Sequence, residues 1–107
     1  MKRLDGIEDF GQALQSGKTL LVLKHSSTCP ISHAAYEEYE TFANEHLDVA
    51  TYYLIVQENR ELSNTIAEKY GIKHESPQVL LIQNEEVAWH ASHWKITNKA
   101  LKEAIVQ

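Results

Sequence analysis

Thr28-Cys29-Pro30-Ile31-Ser32 is the stretch that joins a predicted strand to a predicted helix, and it contains the one cysteine of the chain. Before it, the apolar run TLLVLKH at Thr19–His25 is typical of a buried β-strand. After it, apolar residues recur at helical spacing to about residue 44. Pro30 suits the first position of a helix, because its missing N–H would have no partner inside the helix there. The sequence therefore predicts that Cys29 lies between the end of the strand and the start of the helix.

A cysteine at the start of a helix is well placed for thiol chemistry. The N–H groups of the first turn and the helix dipole favour a negative charge on its sulfur. The thiolate is the nucleophile in disulfide exchange, so we favour a reactive Cys29 over a small buried hydrophobe. Thr28 is expected to cap the helix. The hydroxyl of Ser32 either donates a hydrogen bond to the Cys29 thiolate or belongs to an ordinary first-turn serine.

Length and composition limit the classes of protein that the chain can represent. Its 107 residues suffice for one domain, 1–107, and a single cysteine excludes an internal disulfide. The net charge of −5, with acidic residues scattered along the chain, argues against nucleic acid as a partner. No secretory signal pattern opens the chain, and no apolar run approaches the ~20 residues of a membrane span. We therefore expect a cytoplasmic protein without membrane contact, because a free thiol persists in a reducing compartment.

The remaining elements follow from hydrophobic periodicity and from cap residues. Asp5 and Glu8 form a capping-box pattern, so a first helix is expected to begin there, with Ile7, Phe10 and Leu14 on its buried face. Further elements are predicted as an edge strand at 2–4, a strand at 49–56, a helix from Asn59 to Gly71, strands at 79–82 and 87–90, and a helix capped by Thr97.

The order of these elements predicts the architecture. The first two core strands enclose a helix and should be parallel, with a right-handed crossover. The polar pair Asn84-Glu85 is short enough for a hairpin, so the last two strands should be antiparallel. The sequence thus predicts an α/β fold in which a central mixed β-sheet of four or five strands is flanked by helices on both faces.

This element order is similar to that of the thioredoxin superfamily. In that family the nucleophilic cysteine stands at the start of the helix after the first core strand, which is the position of Cys29. The family also has a cis proline just before the strand that enters the hairpin, and Pro77, preceded by Ser76, occupies that position. The resemblance implies a cis bond at Pro77, beside Cys29, and a Ser76 backbone that pairs with the bound substrate.

The segment 24–32, KHSSTCPIS, resembles the active-site segment of the monothiol bacilliredoxins, small thioredoxin-like proteins of bacillithiol-producing bacteria. In that family the cysteine attacks a mixed disulfide between bacillithiol and a client protein, frees the client and takes the bacillithiol onto itself. The resemblance implies that Cys29 is the nucleophile and that Ser32 stands where a dithiol relative has its resolving cysteine. It also implies S-bacillithiolated client proteins as partners, and bacillithiol as a co-substrate rather than a bound cofactor. Without a cysteine at 32, a second thiol from solution or from another protein must resolve the adduct.

The histidines of the chain raise the question of a metal site. Cys29 and His33 could meet on one helix face, but a zinc site needs three or four ligands. The remaining ligands would have to come from His25, His74, His90 or His93. No close spacing among these residues demands such a site, so we expect no metal. His25 is the best candidate for tuning the thiol, because an imidazolium near Cys29 would favour its thiolate.

Two tryptophans flank the segment that follows the last strand, WHASHW at 89–94. In a thioredoxin-like fold this segment borders the active site. Trp89 is expected to pack on the C-terminal helix, and Trp94 either packs there too or faces the site.

Two other classes of function remain open beside the redox enzyme. A thioredoxin-like binding module without turnover would have an unreactive Cys29, since a fold does not determine a function. A redox sensor would instead oxidise Cys29 to a sulfenic acid, or accept a small thiol on it, and so change its contact with a partner.

Overall fold

The structure, a computed structural model, describes residues 1–106. In chain order its strands and helices are β1 (Lys2–Arg3), α1 (Ile7–Ser16), β2 (Thr19–His25), α2 (Pro30–Glu45), β3 (Ala50–Ile55), α3 (Arg60–Tyr70), β4 (Gln78–Gln83), β5 (Glu86–Ser92) and α4 (Asn98–Ile105). A 3₁₀ turn at His93–Lys95 connects β5 to α4.

Five strands form one sheet in the order β1-β3-β2-β4-β5. Strands β1, β3 and β2 are parallel, whereas β4 runs antiparallel to both of its neighbours, β2 and β5. The predicted mixed sheet is therefore confirmed, and the edge strand expected at 2–4 pairs with β3 as its fifth member.

Alternate residues of β2 pack on opposite faces of the sheet, as the two-residue period of a strand requires. Leu20 and Val22 belong to the apolar cluster beneath α1 and α3. Leu21 and Leu23 belong to the cluster beneath α2 and α4. All of these side chains are buried, so β2 lies between helices on both faces, as predicted.

The turn between β4 and β5 consists of Asn84 and Glu85, with φ angles of 53° and 65°. Positive φ at both central residues is the geometry of a type I′ turn, whose twist matches that of the strands it joins. The hairpin is therefore confirmed. Its second strand is longer than the predicted range 87–90, because pairing continues to Gln78 and Ser92.

Two helix boundaries agree with the signals in the sequence. Gly71 ends α3 with a φ of 63°, the left-handed conformation that glycine adopts without steric cost. Thr97 caps α4, and its hydroxyl oxygen accepts the N–H of Ala100 at 3.0 Å. Within residues 1–106, no helix combines the length and the apolarity needed to cross a bilayer.

The start of α1 differs from the prediction. The N-cap is Gly6 rather than Asp5, so the helix begins one residue later than the pattern suggested. Both Glu8 and Asp9 lie in the first turn, but the acid that accepts a backbone N–H is Asp9, whose Oδ2 accepts the N–H of Asp5 at 2.9 Å. Ile7 was expected on the buried face but, at the first position of α1, is 43% exposed, whereas Phe10 is buried.

Candidate active site

Cys29 lies at the N-cap of α2, half-buried, with an extended backbone. Pro30 occupies the first helical position, as predicted, and the carbonyl of Cys29 accepts the first intrahelical N–H, from His33, at 3.0 Å. The expectation that Thr28 caps the helix is wrong, because the helix begins directly after Cys29. The Thr28 hydroxyl oxygen instead accepts a hydrogen bond from Nε2 of Gln57 at 3.2 Å.

Gln57, in the loop after β3, holds the turn that precedes Cys29. Its Nε2 donates to the hydroxyl of Ser26 at 2.7 Å, and its Oε1 accepts the N–H of Ser27 at 3.2 Å. No pattern in the sequence indicated a role for Gln57. A polar side chain just after a strand is common, and its contact with a loop some 30 residues earlier leaves no local pattern.

Ser32 is fully buried behind Cys29. Its Oγ accepts the N–H of Ser26 at 2.7 Å and lies 3.1 Å from Nδ1 of His25. A hydroxyl has only one hydrogen to donate, so when Ser32 donates to His25 it has none left for the Cys29 thiolate. The hydroxyl therefore fixes the loop that leads to the cysteine.

His25 ends β2 and is partly buried, with its ring 4.9 Å from that of Tyr36. Burial lowers the pKa of His25, although its hydrogen bond with Ser32 opposes the shift. The ring is therefore neutral at pH 7 and serves as a hydrogen-bond partner of Ser32. This environment does not favour the imidazolium that was expected to stabilise the thiolate.

Ser76 and Pro77 stand at the start of β4, at the same end of the sheet as Cys29. Gln78, the next residue, registers with Lys24 near the end of β2, which places the two segments side by side. The Ser76-Pro77 peptide bond is cis, as the resemblance implied. The Pro77 carbonyl accepts the N–H of His93 at 3.0 Å, which ties the segment after β5 to this end of the sheet.

The segment 89–94 was expected to follow the last strand, but Trp89 lies within β5 and only Trp94 follows it, in the 3₁₀ turn. Trp89 packs against the cluster beneath α2 and α4, as expected. Trp94 is 70% exposed and, with Pro30, Ile31 and Thr97, lines a shallow groove beside the start of α2. Trp94 thus faces the neighbourhood of Cys29 rather than the core.

The remaining histidines do not form a cluster around the cysteine. His33 pairs with Glu37, Nε2 to Oε1, at 2.8 Å, and His93 approaches Glu75 at 3.4 Å. Among residues 1–106, no group of three or more His, Cys, Asp or Glu side chains is placed to hold a metal ion.

A thiol at the start of the helix after β2, at the same end of the sheet as a cis proline just before β4, is the arrangement of the thioredoxin-fold thiol oxidoreductases. Solved structures share the fold over nearly the whole chain. A protein proposed to be an oxidoreductase with a thioredoxin fold is 43% identical, with a TM-score of 0.92, and the match covers 97% of this chain and 92% of that one.

Two thioredoxins are more distant in sequence. The thioredoxin of Fasciola hepatica is 20% identical, with a TM-score of 0.79, and the match covers 99% of this chain and 97% of that one. The thioredoxin of Malassezia sympodialis is 14% identical, with a TM-score of 0.80, and the match covers 99% of this chain and 90% of that one. At these identities the likeness shows the fold alone.

The profile of the family named monothiol bacilliredoxin BrxC matches residues 2–101. The chain therefore belongs to the monothiol bacilliredoxin family, and it is a thiol-disulfide oxidoreductase.

Proposed function

We propose that this protein removes bacillithiol from mixed disulfides on client proteins, with the thiolate of Cys29 as the nucleophile. Membership of the monothiol bacilliredoxin family supports the choice of substrate. The observation that weighs most is the position of Cys29 at the N-cap of α2, half-buried and followed by Pro30. The first-turn N–H groups of α2 have no partner inside the helix, and Cys29 stands next to them.

Disulfide exchange then proceeds in two transfers. The Cys29 thiolate attacks the bacillithiol sulfur along the axis of the mixed disulfide. A disulfide forms between Cys29 and bacillithiol, the original S–S bond breaks, and the client leaves as a thiolate that takes a proton from water. A second thiol, either bacillithiol or another thiol reductant, attacks the adduct, leaves as a small disulfide and restores the Cys29 thiolate. Both transfers conserve electrons, so bacillithiol acts as a co-substrate and no bound cofactor is required.

The residues around Cys29 have separate roles in this proposal. Ser76 and Pro77 bind the client, because an extended chain can pair with the Ser76 backbone as an added strand does. Thr28, Pro30 and Ile31 form the active-site motif that borders the disulfide. His25 helps to position the turn that carries Cys29, through its hydrogen bond with Ser32. The reaction requires a thiol reductant and a free cysteine, so we place the protein in a reducing cytoplasm.

A turnover experiment tests this function. A single-cysteine client capped with bacillithiol is incubated with one-hundredth as much protein and an excess of bacillithiol, and the mass of the client is followed with time. We expect many client molecules to be freed by each protein molecule. The Cys29→Ser variant, which keeps the size of the side chain, should free the client no faster than bacillithiol alone.

The same experiment separates the other classes of function. A client that stays capped with the wild type would overturn the proposal and would favour a binding module without turnover. Reaction of Cys29 with peroxide, faster than with the mixed disulfide, would favour a redox sensor.

A further inference from the structure

A lysine is buried near the end of β2 without a counter-charge. Lys24 is 0% exposed, and no ion pair within residues 1–106 includes its amine. A buried cation is costly unless its hydrogens are bonded, and burial accordingly lowers the pKa of Lys24 to about 8. An apolar residue would continue the strand pattern without this cost. A residue that breaks the local pattern in this way indicates a functional constraint.

The amine of Lys24 bonds to two groups on the α3 side of the sheet. Nζ donates to the carbonyl oxygen of Ser63 at 3.1 Å and lies 3.3 Å from Nδ1 of His74. The hydroxyl of Ser63 is also 3.0 Å from His74 Nδ1. An ammonium group can donate a hydrogen bond but cannot accept one. In its hydrogen bond with Lys24, Nδ1 of His74 is therefore the acceptor, and the proton of the neutral ring lies on Nε2. Lys24 therefore connects β2, α3 and the chain around His74.

His74 belongs to segment 71–77, which contains neither helix nor strand. A second side chain holds the same segment, because Nε2 of Gln78 donates to the carbonyl of Lys73 at 3.0 Å. Gln78 registers with Lys24 across β2 and β4, so the amide and the amine reach the segment from neighbouring strands. Hydrogen bonds from buried side chains thus hold the middle of this segment. Its two ends are held by backbone bonds, from the Ile72 N–H to the Ala67 carbonyl and from the His93 N–H to the Pro77 carbonyl.

We propose that Lys24 is a positioning residue for the peptide part of the substrate. It holds His74, and thereby the path of segment 71–77 that presents the Ser76 backbone to the client. This proposal rests on the proposed function, in which Ser76 pairs with the client chain. A small disulfide has no peptide backbone to pair with Ser76, so its reaction at Cys29 should not depend on Lys24.

The charges around His74 determine when the contact with Lys24 persists. Burial lowers the pKa of His74, the charges of Lys24 and Arg60 lower it further, and Glu75 opposes them. The ring is therefore neutral at pH 7 and can accept from the amine. At acid pH the ring of His74 is protonated at Nδ1, where the new N–H faces the Lys24 ammonium. The ring then offers no acceptor to the amine. The affinity for a peptide substrate should then fall together with this protonation.

Steady-state kinetics with two substrates test the proposal. One substrate is a peptide with a single cysteine capped by bacillithiol, and the other is 2-hydroxyethyl disulfide. The Lys24→Met variant should raise KM for the peptide about 5-fold, the factor that the loss of one hydrogen bond of ordinary net strength produces. The kcat for the peptide and the rate with 2-hydroxyethyl disulfide should not change. The melting temperature should not fall, because an unbranched apolar side chain replaces a buried charge.

Further variants separate positioning from general damage to the fold. His74→Ala removes the acceptor and should raise the same KM about 5-fold, with no further rise when Lys24→Met is added. Leu23→Met, a volume-conserving change at the neighbouring buried residue on the opposite face, is the matched control and should leave KM unchanged.

The outcomes are distinguishable. An unchanged KM in both Lys24→Met and His74→Ala, or an equal loss with the two substrates, would overturn the positioning role and leave the proposed function intact. A wild type that does not exchange with the capped peptide would overturn the proposed function, and this proposal with it.

Discussion

Ser32 places a hydroxyl where a second thiol would alter the reaction cycle. In a dithiol site the second cysteine attacks the mixed disulfide at a very high effective concentration, so the adduct is brief. We expect that wild-type protein mixed with a small-thiol disulfide, without reductant, accumulates the adduct. Ser32→Cys should instead release the small thiol and close an internal disulfide, since positions one helical turn apart are within the Cα separation that a disulfide tolerates. Intact-mass measurement distinguishes the two products.

The matched control for this substitution is Ser16→Cys, at the end of α1. Ser16 lies just before the start of β2, whereas Cys29 follows the end of that strand. The new thiol is therefore too distant to attack the Cys29 adduct, and the variant should gain a second adduct and keep the first. If Ser32→Cys behaves in the same way, the assignment of Ser32 to the resolving position is wrong.

The same hydroxyl also contributes to stability. Ser32→Ala leaves the Ser26 N–H and the His25 ring nitrogen without their partner, while the loss of one oxygen opens little space. We expect the free energy of unfolding to fall by about 1–3 kcal/mol, the cost of leaving buried polar groups unpaired. Urea unfolding measures it, and Ser27→Ala, at an exposed position in the same turn, should change it by less than ~0.5 kcal/mol. Equal effects of the two changes would contradict the buried network.

Lys24 makes the free energy of unfolding depend on pH in the alkaline range. The pKa of Lys24 falls to about 8 in the fold from an ordinary value of 10.5. Between these values the unfolded chain binds more protons than the folded chain, so the free energy of unfolding rises with pH, by up to ~1.4 kcal/mol per unit. Urea unfolding of wild type and Lys24→Met from pH 8 to about 9.5, below the titration of tyrosine, isolates this contribution. The difference between the two proteins should change steeply with pH, and a constant difference would contradict the buried charge.

At the scale of single elements, the β4–β5 turn offers a test of backbone strain. Glu85 adopts a φ of 65°, where a side chain is strained and glycine is not. Glu85→Gly should therefore raise the free energy of unfolding by about 1 kcal/mol, since Asn-Gly is the preferred type I′ pair. The neighbouring Glu86→Gly, in the extended β5, should lower it by about 0.5–1 kcal/mol. Thermal unfolding of both variants checks the sign, and a destabilising Glu85→Gly would contradict the turn geometry.

Elements with a strong local pattern were predictable from the sequence. The apolar run predicted β2 with the bounds that it has, Thr19–His25. Gly71 was expected to end α3 and does so in the left-handed conformation. Signals that compete locally were less reliable. At the start of α1, Asp5 and Gly6 are both acceptable caps, and no local pattern distinguishes between them.

The same distinction applies to the candidate site. The positions of Cys29 and Pro30 were predictable, because a short motif and the element order locate them, whereas the cis bond at Pro77 was expected only from the resemblance to the thioredoxin superfamily. The hydrogen bonds of Gln57 with the cysteine turn, and of His74 with Lys24, join residues that are far apart in sequence. A buried lysine within an apolar strand is also indistinguishable, by sequence alone, from one whose amine reaches solvent.

At the scale of the whole molecule, the sheet order explains why the residues of the candidate site lie at one end of the protein. Strands β2 and β3 are parallel, and β4 is antiparallel to β2. The ends of β2 and β3, the start of β4 and the turn after β5 therefore meet at one end of the sheet. Cys29, Gln57, Pro77 and His93 come from these separate connections. The central claim is that this end performs disulfide exchange through one thiol.

A single-turnover mass measurement tests this claim most directly. Equal amounts of wild-type protein and a bacillithiol-capped client are mixed without any other thiol, and both intact masses are recorded in one spectrum. We expect the client to lose one bacillithiol while the protein gains one, and peptide mapping to locate it on Cys29. A client that keeps its bacillithiol while the protein mass stays unchanged would contradict the account.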